Sequence, residues 1–218
     1  MAAPHALYLH GFASGPFTAK GRALGARLTG RVASYGIPDL EQGDFTGLTM
    51  DLIIARALAA IAALPDDGRG VVLIGSSLGG YTAALIASQH APARMSGCLL
   101  IAPAFGFPTY WRERLGADDI AAWRRSGTRL FQHYGSDREL PLGLGFLESC
   151  ERLPAVPGAP ACRMVIVHGR QDQTVDHQVS LDFARDHALV ELHLITGDHR
   201  LTEPRHEELI AWCAGDLL

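Results

Sequence analysis

This 218-residue chain lacks an excess of charge of either sign, any paired cysteine motif and any long apolar run. Nineteen lysines and arginines stand against 23 aspartates and glutamates, a net charge of −4. That balance gives no basis for a nucleic-acid or anionic-membrane partner. The four cysteines, Cys98, Cys150, Cys162 and Cys213, are widely spaced and form no C-x-x-C pair. They read as small buried hydrophobes of a reducing compartment, not as a disulfide framework or a zinc site. The N-terminus has no basic region before its short apolar run, so it does not read as a signal peptide. The most apolar stretch, residues 52–64, contains Arg56 and stops at Pro65, too short to span a bilayer. A cytoplasmic protein without a membrane span is expected. No Walker A, no G-x-G-x-x-G at a strand-to-helix turn and no Cys/His cluster is present. Neither a metal nor a cofactor is expected.

Hydrophobic residues make up 48% of the chain and charged ones 19%, which is the composition of a globular protein able to bury a core. The length fits one domain, residues 1–218. Short apolar runs at residues 6–10, 71–74, 98–102, 163–168 and 189–195, with a weaker one at 31–35, read as buried strands. Helical stretches lie between them, at about 17–28, 50–64, 81–87 and 175–188, with a last one starting at Thr202 or Glu203. Thr49 is the expected cap of the second, whose apolar residues lie nearly all round and predict a well-buried helix. The alternation predicts an α/β protein: a mostly parallel sheet of about six or seven strands with helices on both faces. From about 103 to 160 the pattern changes, with a helix at 118–125, a strand at 128–134, glycines mixed with a short helical stretch at 141–153 and a proline-rich return. The block is too long for a plain connection and reads as a small cap-like insertion covering the sheet edge.

The most informative stretch is Val71-Val72-Leu73-Ile74-Gly75-Ser76-Ser77-Leu78-Gly79-Gly80. A buried strand, G-x-S-x-G and a helix form the nucleophile elbow of α/β hydrolases. The glycines at 75 and 79 remove side chains that would clash at a sharp turn, and they single out Ser77 over Ser76. A serine hydroxyl needs a base, and the base needs a carboxylate to orient it. In this fold the chain order is Ser, acid, His. Asp172, in the turn after the 163–168 strand, is the preferred acid. Asp176 is the alternative, better placed to cap the next helix. Among ten histidines, His199 follows the last strand on a loop able to reach Ser77. His168 reads as a hydrogen-bonded structural residue and His206 as an exposed one. Two amides are expected to form the oxyanion hole, those of Leu78 and Phe12. Within the insertion, Phe105, Phe107, Tyr110, Trp111, Trp123, Phe131 and Tyr134 either line an apolar pocket or pack the cap. Arg112, Arg114, Arg124, Arg125 and Arg129 read as its solvated surface.

With Tyr8-Leu9-His10-Gly11-Phe12-Ala13-Ser14-Gly15-Pro16 and Lys20, Ile74-Gly75-Ser76-Ser77-Leu78-Gly79-Gly80-Tyr81 and Gly197-Asp198-His199, the chain resembles the small bacterial serine esterases of the YqiA-like (UPF0227) set. His168-Gly169-Arg170-Gln171-Asp172 resembles the acid loop of many α/β hydrolases. The 103–160 block departs from that pattern and looks more like the cap of other small acyl hydrolases. The resemblance implies hydrolysis of an ester or thioester through an acyl-serine intermediate, without a cofactor. A small-molecule acyl ester is the expected substrate. A thioesterase or deacylase and a non-catalytic ligand-binding protein of the same fold are the rival readings.

Overall fold

The computed structural model describes residues 2–218, with the side chains of 108 and 110 outside the description. The strands are β1 (His5–Leu9), β2 (Ser34–Gly36), β3 (Val71–Ser76), β4 (Met95–Ile101), β5 (Thr128–His133), β6 (Arg138–Gly143), β7 (Arg163–Gly169) and β8 (Val190–Ile195). Six of them make one sheet in the order β2-β1-β3-β4-β7-β8, every pair parallel. The helices are α1 (Ala19–Leu28), α2 (Met50–Ala62), α3 (Leu78–Leu85), α4 (Phe107–Ser126), α5 (Leu144–Glu151), α6 (Gln178–Asp186) and α7 (Pro204–Asp216). A π-helical turn, Ile86–His90, extends α3.

The strands are apolar on both faces because both faces are covered. Leu7, Leu9, Leu73, Leu100 and Ile166 pack with Ile53 and Ala57 of α2, Ala84 of α3 and Phe183 of α6. Tyr8, Val72, Ile74, Leu99 and Val165 pack with Leu24 and Leu28 of α1 and Ile210 of α7. Thr49 caps α2 as expected, its Oγ1 accepting the Leu52 N–H at 3.2 Å. The helix is not buried all round, however. Met50, Ile53, Ile54, Ala57 and Ile61 form a buried stripe, while Leu52, Ala55 and Ala59 face solvent. Alanine makes the outer face apolar in composition without enough area to demand burial.

The 103–160 block contains more regular structure than its sequence suggests. Gly106 and Gly127 bound a helix of twenty residues, broken at Gly116 (φ 78°, ψ 163°) into two segments. Pro108 stands in its first turn, where no N–H is needed. The strand expected at 128–134 is present as β5, and it has a partner that the sequence hides. In β6, Pro141 pairs with Leu130, and a proline argues against a strand unless it lies at an edge, as in this two-stranded hairpin. The block is tied to the loops beyond the carboxyl ends of the strands. Tyr134 N–H donates to Ala13 O at 2.7 Å and Gly143 N–H to Thr46 O at 2.9 Å. Met50 N–H donates to Ser149 Oγ at 2.9 Å.

Candidate active site

The chain runs from β1 outward to β2, then returns to place β3 on the other side of β1. Crevices in open parallel sheets form at such a reversal, beyond the carboxyl ends of the strands. The loop after β1 and the turn after β3 therefore meet. A Cβ on Gly11 would stand 3.6 Å from the Ser77 Cβ.

Ser77 occupies φ 54°, ψ −116°, a region that a residue with a side chain adopts only under constraint. The constraint is visible in the flanking glycines. A Cβ on Gly75 would overlap the Gly79 carbonyl, and one on Gly79 would overlap the Leu9 carbonyl. The turn is thus pressed between its own helix and β1. Ser77 N–H is held by Ile101 O at 2.9 Å, and Ser77 O accepts from Tyr81 N at 3.0 Å and Ala104 N at 3.0 Å. Among the described residues, the amides of Phe12 and Leu78 have no hydrogen-bond acceptor, which leaves them available to a ligand.

Ser77 Oγ lies 3.0 Å from His199 Nε2, and His199 Nδ1 lies 2.7 Å from Asp172 Oδ2. A carboxylate accepts only, so Nδ1 carries the proton and Nε2 presents its lone pair to the serine hydroxyl. Asp172 is buried and collects four donors. Its Oδ1 accepts from Thr174 N at 2.8 Å and Val175 N at 2.9 Å. Its Oδ2 accepts from His199 and, at 3.0 Å, from His168 Nε2. Burial pushes the carboxyl pKa up, but the hydrogen bonds from His168, His199 and Val175 outweigh it and hold the group well below the usual carboxylate range. Asp176, the alternative acid, is exposed and caps α6 through Gln178 N at 2.9 Å.

His168 is buried and hydrogen-bonded as expected, and one of its partners is Asp172 itself. Its Nδ1 accepts from Ser180 Oγ at 2.8 Å, which leaves Nε2–H for Asp172. The signal was present in the sequence as the four-residue spacing across the turn. His206, expected to be exposed, is buried at 3% and bonds Thr196 O at 2.8 Å. Gly197 lies against its ring, which closes the loop that carries His199. His10 anchors the loop after β1, with Nδ1 toward Gly11 O at 3.0 Å and Nε2 accepting from Leu40 N at 3.3 Å.

A cavity of about 1060 Å³ opens onto Ser77 and His199. One wall is aromatic. Phe12 contacts Phe45, Trp111, Phe131 and Phe146 with ring centroids 5.2–5.6 Å apart, and Trp111 stacks on Phe131 at 4.9 Å. Phe105, Phe107 and Tyr134 also line it, whereas Trp123 is buried at 1% in the packing behind. The Tyr110 side chain lies outside the described residues. Arg112 and Arg124 pair with Glu151, and Arg129 with Asp119, at the surface of the block. A smaller depression of about 630 Å³ by β8, lined by Arg170, Arg185 and His193, holds none of the groups around Ser77. Among the described residues no group of three or more His, Cys, Asp or Glu side chains is arranged to hold a metal. No helix among them is long and apolar enough to cross a membrane.

Solved structures share this architecture. One from Agrobacterium vitis S4 is 23% identical, covering 100% of this chain and 90% of that chain with a TM-score of 0.83. Mouse alpha/beta hydrolase domain-containing protein 10 is 20% identical, covering 98% and 89% with a TM-score of 0.80. Est1E from Butyrivibrio proteoclasticus, with ferulic acid bound, is 19% identical, covering 99% and 88% with a TM-score of 0.80. The fold is the α/β-hydrolase fold. No curated protein matches the chain. The uncharacterised protein family UPF0227 matches residues 5–211, straight through the 103–160 block that departs from the expected pattern, and the chain belongs to that family.

Proposed function

We propose that the protein is a serine hydrolase that cleaves carboxylic esters of small molecules. The observation that carries this reading is the unbroken hydrogen-bonded chain from Ser77 Oγ through His199 to the buried Asp172, at the mouth of a largely apolar cavity. Ser77 Oγ attacks the acyl carbonyl while its proton passes to His199 Nε2. Asp172 keeps His199 in the required tautomer and stabilises the imidazolium. The amides of Phe12 and Leu78 receive the developing oxyanion. The C–O bond to the alcohol then breaks, and the imidazolium proton leaves with the alcohol. Water, deprotonated by His199, attacks the acyl-serine and releases the acid and the free hydroxyl. In this reading the 103–160 block acts as a cap within one domain, its aromatic side chains receiving the apolar part of the ester.

The test is covalent labelling by a fluorophosphonate, together with turnover of 4-nitrophenyl esters of increasing chain length beside acyl-CoA. Labelling at Ser77 and ester turnover are expected. A folded protein that neither labels nor turns over any ester is a binding protein. One that cleaves only acyl-CoA is a thioesterase.

A further inference from the structure

Lys20 is the single lysine of the chain. It stands in the first turn of α1 and lines the cavity with Thr18, Ser76 and Ser77. Its ammonium has three donors, yet among the described residues one protein acceptor is within reach, Ser76 Oγ at 3.5 Å. Among the described residues no carboxylate lies within ion-pair distance of it, and the salt bridges are formed by arginine and histidine. Desolvation brings its pKa down to about 8, against the raising influence of Asp198, Asp172 and Glu207, with Arg200 adding to the fall. A half-buried cation with no carboxylate at ion-pair distance among the described residues is costly unless a ligand completes it. Arg200, beside His199, lines the same cavity. Lys20 and Arg200 thus stand on the lining near the nucleophile, with Asp176 as the acidic residue there, and the aromatic side lies under the 103–160 block, where Glu113 and Arg114 also line the cavity.

We propose that Lys20 is a specificity-determining residue that receives a carboxylate carried by the ester substrate. This rests on the serine-hydrolase reading above and adds the substrate class: esters that are anionic close to the scissile bond and apolar beyond it.

Two matched pairs test it: mono-4-nitrophenyl glutarate against 4-nitrophenyl hexanoate, with the charge on the acyl side, and 4-carboxyphenyl acetate against phenyl acetate, with the charge on the alcohol side. In at least one pair the anionic ester is expected to have the higher kcat/KM. Replacement of a charged hydrogen bond predicts that K20M lowers that ratio by about 10- to 100-fold, with K20R retaining part of it. The ratio also falls above about pH 8, as the free enzyme loses the Lys20 proton; a lysine that merely supports Ser76 gives no such limb. A ratio in both pairs that is unaffected by K20M overturns the proposal. A second readout does not depend on turnover. In S77A protein labelled with 13C-lysine, the single Hε–Cε signal is expected to move on titration with glutarate and to be insensitive to the neutral hexanamide. A signal that stays still overturns the proposal even if esters are cleaved. A signal that moves in a protein unable to cleave esters sustains the anion site and defeats only the hydrolase reading.

Discussion

Replacing Asp172 by asparagine separates position from charge at the centre of the site. Oδ1 faces two backbone N–H groups, from Thr174 and Val175, and these only donate. The amide oxygen must take that place, which turns the NH2 toward His199 and His168, where Oδ2 now accepts from both rings. Both imidazoles are forced to the opposite tautomer. His199 then carries its proton on Nε2, facing the Ser77 hydroxyl with no lone pair to receive it. Loss of the oriented base at such a site costs about 10⁴-fold in kcat, or ~5.5 kcal/mol at 1.36 kcal/mol per tenfold. All four hydrogen bonds to the carboxylate lose its charge, so the fold loses about 1–3 kcal/mol. The sign with pH follows from the depressed folded pKa. The stability that Asp172 contributes is complete above the unfolded carboxyl value of about 3.9 and is lost as pH falls toward the folded one. The gap in urea midpoint between wild type and D172N should therefore close below about pH 4. Turnover of 4-nitrophenyl butyrate and urea unfolding from pH 7 to 3 measure both effects. D176N is the control, since Asp176 lines the cavity but its hydrogen bond goes to Gln178 N at the start of α6. Asparagine accepts the same Gln178 N–H as well as aspartate does, so the substitution should cost little stability and little rate. A D172N enzyme within tenfold of wild type, or a D176N enzyme as impaired, would refute the reasoning.

Three further outcomes follow from the geometry. Ser77 holds φ 54°, ψ −116° at a cost of about 1–3 kcal/mol, which glycine does not bear. S77G should be inactive yet unfold at a higher temperature than S77A, by roughly 2–4 °C per kcal/mol relieved; equal melting temperatures would argue against strain at the elbow. Gly79→Ala drives a Cβ into the Leu9 carbonyl and should cost more than ~3 kcal/mol, beyond ordinary overpacking. The urea midpoint reads this, and a wild-type value would mean that the turn relaxes freely. Glu41 and His133, both buried, meet at 2.7 Å and join the hairpin to the loop before α2. Glu41→Ala leaves His133 Nε2 without its partner while Ser136 still holds Nδ1, costs about 1–3 kcal/mol, and should speed amide exchange at residues 128–143 before the six-stranded sheet.

Where local sequence decides local structure, the chain was readable. The elbow is one such place: four aliphatics make the strand, and the two glycines are required by backbone contact with Gly79 and Leu9. The different surroundings of Asp172 and Asp176 are also legible, because a turn directly after a strand and a helix first turn ask different things of a carboxylate. What could not be read depends on contacts distant in sequence. His206 looked exposed on a polar helix, and only the return of the 196–201 loop buries it. β6 is masked by Pro141, which is tolerated because the hairpin is an isolated pair. The twenty-residue α4 is masked by Gly116, which interrupts the periodicity and does bend the helix there.

The same division explains why the chemistry is easier to read than the substrate. Ser77, Asp172 and His199 are each fixed by their own turn, and the sheet brings the turns together at the reversal between β1 and β3. The cavity has no such local origin. Its aromatic wall is assembled from Phe12 after β1, Trp111 on α4 and Phe131 on β5, three segments with no shared pattern. Lys20 comes from a fourth and meets Ser76 across 56 residues. On the proposed reading, specificity is a property of those long-range contacts. Changes at Lys20 or Trp111 should therefore redirect the substrate, while changes at the three turns remove the reaction.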